Sequence, residues 1–201
     1  MLRACVRLAP GCVLVVALAS ATWAGPATEQ LKTQIDRVLA VLNDPAVKGP
    51  EHRAERQAII RDTMDAAIDF TEVSRRALGA AWAVRTPAER QEFVSAFTDF
   101  VKRSYLGRID LYDDEKFVYN GESVEGDVAT VTTRIEWKDG DRMPLGFKMK
   151  RDANDRWRIY DVSMDGVSLV DSYRAQFSSM LRRNSYEDLV TRIKTQGAGQ
   201  K

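Results

Sequence analysis

The sequence predicts an α+β fold: a twisted antiparallel sheet of four or more strands, covered on one face by about six helices. Three observations lead to the layered arrangement. Apolar residues recur at three- and four-residue spacing as far as Gly107. From Glu115 to Met164 they alternate with polar ones and are interrupted by turn residues. Helical spacing then returns and holds almost to the end of the chain.

Leu31, Ile35, Val38, Leu39 and Leu42 make the first helical stripe, over 27–42. Asn43-Asp44-Pro45 stops it, and Gly49-Pro50 marks the next start. A second helix carries Ala58, Ile59, Met64, Ala67 and Ile68, and a short third carries Phe70, Val73, Ala77 and Leu78 before Gly79. The fourth opens on a capping box, Thr86 with Glu89, and has Pro87 at its first position. Phe93, Phe97, Phe100, Val101 and Tyr105 form its heavy apolar stripe, and Gly107 is a plausible stop.

In the strand region Phe117 and Tyr119 alternate with polar neighbours, and Ala129, Val131, Thr133, Ile135 and Trp137 take every second position. Asp139-Gly140 signals a tight hairpin into Met143, Leu145, Phe147 and Met149. Residues 152–155 turn the chain into a last strand over 157–164. Short turns between successive strands imply an antiparallel meander with one apolar face. Two helices close the chain. Val170, Tyr173, Phe177, Met180 and Leu181 share a face of one, and Tyr186, Leu189, Val190 and Ile193 belong to the other, with Ser185 and Asp188 as its cap.

The domain reading is a signal peptide over 1–24, one α+β domain over 25–196 and a disordered tail over 197–201. Arg3 and Arg7 precede a short apolar run over 13–19, followed by the small-residue patterns Ala19-Ser20-Ala21 and Thr22-Trp23-Ala24. That is the pattern of an export leader, and cleavage is placed after Ala24. A membrane-spanning helix needs about 20 apolar residues, more than this run supplies. Both cysteines, Cys5 and Cys12, fall within the leader, so the mature chain has no disulfide and no thiol ligand. Removing Arg3 and Arg7 from the 30 basic residues leaves 28 against 29 acidic ones, a net charge of −1. Nucleic acid, which needs a basic face against its phosphates, is not an expected partner.

Catalytic chemistry is poorly represented. His52 is the only histidine and lies between Glu51 and Arg53, where a solvated side chain is expected. It is a poor foundation for a zinc site or a Ser-His-Asp arrangement. Asp113-Asp114-Glu115 lacks the spaced oxygen ligands of a calcium loop. Asp161, at a strand end, is read as a structural acid bonded to backbone groups near the turn into the last helices. Its alternative is the acid of a cone-shaped enzyme pocket.

The run from Trp157 to Val170, with Tyr160-Asp161-Val162 and Asp165-Gly166-Val167-Ser168 inside it, resembles the hallmark of the MlaC, or toluene-tolerance, family. Thr86-Pro87-Ala88-Glu89-Arg90 leading into Phe93, Phe97 and Tyr105 agrees with it, as does Tyr173-Arg174-Ala175-Gln176-Phe177. The likeness extends over roughly Leu31 to Ile193. It implies a periplasmic carrier with no catalytic residues and no cofactor, whose ligand is a phospholipid. Its implied partners are an inner-membrane Mla ABC transporter complex and an outer-membrane lipoprotein complex, between which it passes lipid and so supports outer-membrane lipid asymmetry. A monomer is expected. Hopanoid-associated relatives share the fold, which leaves the lipid class open, and a solid-cored periplasmic adaptor is the reading from another class.

Burying an acyl chain removes water from it at about 0.8 kcal/mol per methylene, so a two-chain lipid faces a barrier of roughly 20 kcal/mol or more in an aqueous gap. A carrier must replace that water with apolar walls, so the resemblance implies an apolar cavity between the layers. Val131, Ile135, Leu145, Phe147 and Met149 are expected to form a sheet wall. Phe70, Val73, Leu78, Trp82, Phe97, Val101 and Tyr105 are expected to form the helical wall, with Val167, Leu169, Val170 and Tyr173 closing the end.

Overall fold

The computed structural model describes residues 25–109, 111–112 and 114–195. The leader, the tail and Asp113 of the acidic cluster lie outside the described residues. Helices α1 (Pro26–Asn43), α2 (Arg53–Ala67), α3 (Phe70–Leu78) and α4 (Pro87–Ile109) come first. Strands β1 (Lys116–Glu125), β2 (Val128–Glu136), β3 (Arg142–Arg151), β4 (Trp157–Met164) and the short β5 (Val167–Ser168) follow. Helices α5 (Leu169–Leu181) and α6 (Tyr186–Thr195) complete the order.

Local chemistry explains the boundaries. At α4 the Thr86 N–H donates to Glu89 Oε2 at 2.7 Å and the Glu89 N–H donates to Thr86 Oγ1 at 3.3 Å, closing the expected capping box. Ser185 and Asp188 exchange the same pair of bonds, each at 3.1 Å, before α6. Asp69 caps α3 by accepting the Glu72 N–H at 2.9 Å. Gly79 ends that helix at φ 61°, in the left-handed region where a side chain would be strained. Helix α4 runs past Gly107 to Ile109, because glycine alone weakens a helix without terminating it.

The five strands form one antiparallel sheet in chain order, with β5 an addition to the expected four. Ala129 faces Met149, Val131 faces Phe147 and Thr133 faces Leu145, as the period-two pattern requires. The β3–β4 pairing shifts by one residue: Lys148 opposes Asp161 and Met149 opposes Ile159, leaving Tyr160 as an extra residue in β4.

Two buried clusters result. In the first, α3, α4, α5 and α6 pack around Phe93, Phe97, Phe177, Leu189 and their neighbours. In the second, Ala27 and Leu31 of α1 and Ala67 of α2 cover Ala129, Val131, Met149, Trp157 and Ile159 of the sheet. Strand β4 joins them. The Asp69 N–H donates to the Ile159 carbonyl at 2.9 Å, and Arg158 Nη2 donates to the carbonyls of Asp65 and Ile68 at 2.7 and 2.6 Å. The start of α3 is thereby tied to β4, next to the short edge strand of the sheet. Gln30 and Trp157 exchange two hydrogen bonds, at 2.8 and 2.9 Å, tying α1 to the same strand.

Candidate functional site

A cleft opens between the two clusters. Ile68, Phe70 and Val73 line it from the α2–α3 junction, Phe97, Val101 and Tyr105 from α4, Ile159, Asp161 and Val162 from β4, and Leu169, Val170 and Tyr173 from α5. Nine of these twelve side chains are wholly apolar, and the two tyrosines present their rings to their neighbours. The void is about 60 Å³, whereas sites for small molecules run to several hundred Å³. An occupant larger than a few atoms must part the walls.

Each wall has a local cause. Asp69 caps α3 and its backbone N–H is bonded to β4, which points Phe70 and Val73 towards the strand. Lys102 of α4 lies over the Phe70 ring at 5.4 Å and pairs with Asp65 at 2.7 Å, so this charge covers the wall's outer edge. On α4 and α5 an aromatic group stiffens the opposite side. Phe97 meets Tyr173 edge-on at 5.1 Å and Phe177 at 5.2 Å, and Phe100 meets Tyr173 at 5.8 Å. The Tyr105 and Tyr173 hydroxyls lie close to each other. Burial and that neighbour push the Tyr173 phenol well above its ordinary pKa, so this ring stays neutral across the accessible pH range.

Asp161 is the one carboxylate at the cleft, and it is only 5% exposed. It accepts the Val170 N–H at 3.1 Å and the Ser168 hydroxyl at 2.7 Å, and Lys148 Nζ lies at 3.4 Å. Ser168 in turn caps α5 by accepting the Asp171 N–H at 3.0 Å. The acid thus fastens the β5–α5 corner to β4, as expected of a structural residue, and its oxygens are engaged by the fold. His52 sits beside Glu55 at 3.1 Å and Glu51 at 3.8 Å and does not line the cleft. Among the described residues no cluster of His, Cys, Asp and Glu is arranged to hold a metal ion.

The structure brings together Phe70, Val73, Phe97, Val101, Tyr105, Leu169, Val170 and Tyr173 at the cleft. It places the other expected residues elsewhere. Val131, with no exposure, and Met149 lie in the sheet cluster beneath α1, and Phe147 packs against them. Leu145 is buried and Ile135 half-buried on the same sheet face. Leu78 and Trp82 belong to the helical cluster, and Val167 is 60% exposed on the β4–β5 corner. The sheet side of the cleft is instead Ile159 and Val162 of β4, joined by Ile68. Alternation identified the apolar face but not which strands α1 would cover. The near-continuous run Trp157, Ile159, Tyr160, Val162 and Met164 was the available sign that β4 is enclosed more fully than its neighbours.

The fold and cleft together define an α+β protein whose sheet and helices meet across a greasy seam. A model of the family described as MlaC protein matches residues 32–195, so the chain belongs to the MlaC family. The intermembrane phospholipid transport system binding protein MlaC of Haemophilus influenzae is 20% identical over 141 residues, covering 68% of this chain and 66% of that protein, a little under two thirds of its length. A phospholipid-binding protein from Ralstonia solanacearum, solved with a phospholipid bound, superposes with a TM-score of 0.73 at 22% identity, covering 84% of this chain and 95% of that one. This likeness establishes a shared fold. Among the described residues no helix is long and apolar enough to cross a membrane.

Proposed function

We propose that the protein is a non-enzymatic phospholipid carrier that holds acyl chains in the seam between β4 and helices α3, α4 and α5. In this reading residues 25–196 act as one periplasmic unit after loss of the leader. The unit collects lipid at one membrane complex, an inner-membrane ABC transporter or an outer-membrane lipoprotein assembly, and delivers it to the other, which maintains outer-membrane asymmetry. Membership of the MlaC family supports the reading, as do the names of the two relatives above.

One observation carries it most directly. The seam is walled by apolar groups on both sides, and its single carboxylate is already occupied by the fold. Such a lining favours methylene groups over polar substrates and has no free acid or base to act on them. The small void requires the walls to separate during loading. The bound form should therefore expose its cleft residues differently from the empty form.

Native mass spectrometry of the protein purified from its exported compartment tests this. The expected spectrum contains the mature mass plus a phospholipid, and delipidated protein should regain that mass on incubation with phospholipid vesicles. A spectrum with only the unliganded mass in both experiments would overturn the proposal and leave a solid-cored adaptor.

A further inference from the structure

We propose that hydrolysis of the Ala24–Gly25 peptide bond creates an amino terminus that docks on Glu122 of β1, so that loss of the leader completes the seating of α1 on the sheet. The step is an ordinary hydrolysis. Water adds across the amide, its oxygen ends on the Ala24 carboxylate, and the Gly25 nitrogen leaves as an amine that takes up a proton at neutral pH.

The argument begins with Gly25, the residue before α1, whose carbonyl accepts the Glu29 N–H at 3.0 Å. Gly25 has φ −72°, a value any residue adopts, so backbone conformation does not explain the glycine. Space does. A Cβ at this position would lie 2.1 Å from Glu122 Oε1 and 2.8 Å from Oε2. The Gly25 nitrogen is two bonds from that point, so an ammonium there would lie within reach of the same carboxylate.

Glu122 is already turned towards the start of α1, because its Oε2 accepts the Thr28 N–H at 2.6 Å. It has no cationic partner among the described residues. A carboxylate at a helix start meets unpaired N–H groups and the positive end of the helix dipole. A terminal ammonium would pair with that carboxylate, and this attraction has to outweigh the repulsion from the positive end of the helix. Other charges nearby are Glu29 in the first turn of α1 and, on the β3–β4 turn, Arg151 and Asp155, which border the surface hollow beside Pro26 and pair with each other at 3.2 Å. Arg151 is committed to Asp155 and to the Gly126 carbonyl at 2.9 Å, leaving Glu122 as the acid that faces Gly25.

The sign of the pH effect follows. An exposed terminal amine titrates at about 7.7–8.0. A facing carboxylate raises that value in the folded chain, so its stabilisation is complete below the unfolded value and is lost as pH rises through the folded one. The exported protein is the material for the test. Its intact mass should correspond to a chain beginning at Gly25. Its terminal amine, followed by NMR after isotopic methylation, should titrate above about 8 in the wild type and return to the ordinary value in Glu122→Gln. That variant keeps an oxygen for the Thr28 N–H and is expected to fold. Its melting point should be about 2–4 °C below wild type at pH 6.5, with the gap closing towards pH 10. A mature chain beginning at another residue, or an amine that titrates identically in both proteins, would overturn the proposal.

Discussion

The two cores of this protein are filled in different ways. The helical one is built from large rings: Phe93, Phe97 and Phe177 meet at 5.2–5.7 Å, partly stacked and partly edge-on. The sheet core is built mainly from smaller side chains held in strand register, Ala129, Val131 and Met149 beneath Ala27 and Leu31, with Trp157 at its edge. Register places the sheet's side chains at fixed positions on a pleated surface, where a helix can cover them closely. Rings on separate helices satisfy one another through angled contacts and have less freedom to follow an outside surface. The seam lies where one kind of filling gives way to the other. It takes Phe97, Val101 and Tyr173 from the helical side, and Ile68, Ile159 and Val162 from the sheet side.

Four substitutions test this division, in decreasing order of their effect on the fold. Phe97→Ala removes a ring shared by the helical core and the seam, and should cost about 3–5 kcal/mol in denaturant unfolding while also abolishing lipid retention. Val131→Ala in the sheet core should cost about 2 kcal/mol but leave lipid bound per folded molecule unchanged in native mass spectra. Loss of lipid in that variant would erase the distinction between the two cores.

Glu72 on α3 offers a pH probe of the helical side. Hydrogen bonds from Arg75, and then from Arg76, outweigh burial and pull its carboxyl from 4.5 down to about 2. Because the folded value is depressed, its contribution is present above pH 4.5 and disappears as pH falls through about 2. Glu72→Gln should therefore be less stable than wild type by about 1–2 kcal/mol at pH 6 and equal to it near pH 2, as read from urea midpoints. The smallest structural change is Val101→Asp, at a half-buried position of the seam. It should cost about 1 kcal/mol in stability, yet reduce phospholipid loading at least tenfold. Full loading of the folded variant would remove Val101 from the binding wall.

Much of this arrangement was legible from spacing. The capping boxes at Thr86 and Ser185, the stop at Gly79 and the strand alternation all act between residues close in sequence, so their patterns survive without a structure. The α4 side of the seam was legible for the same reason, since Phe97, Val101 and Tyr105 lie on one stripe of one helix, whereas Leu78 and Trp82 pack into the helical core. The sheet wall was not. Choosing β4 over β2 and β3 depends on where α1 lies, on the extra residue Tyr160 and on the bond from Asp69 to Ile159, all of which join residues distant in the chain. A periodic pattern says which side of a strand is apolar, and only tertiary contacts decide which apolar neighbour covers it.

The narrowness of the seam has a thermodynamic consequence for any guest. With about 60 Å³ free, the greasy walls of the seam face each other closely and offer little sticky surface to neighbours. Entry then requires those contacts to be broken before new ones form, and the net grip on the guest is reduced by that reorganisation. In the proposed carrier role, a seam that closes behind its guest would recover those contacts and so lower the cost of release.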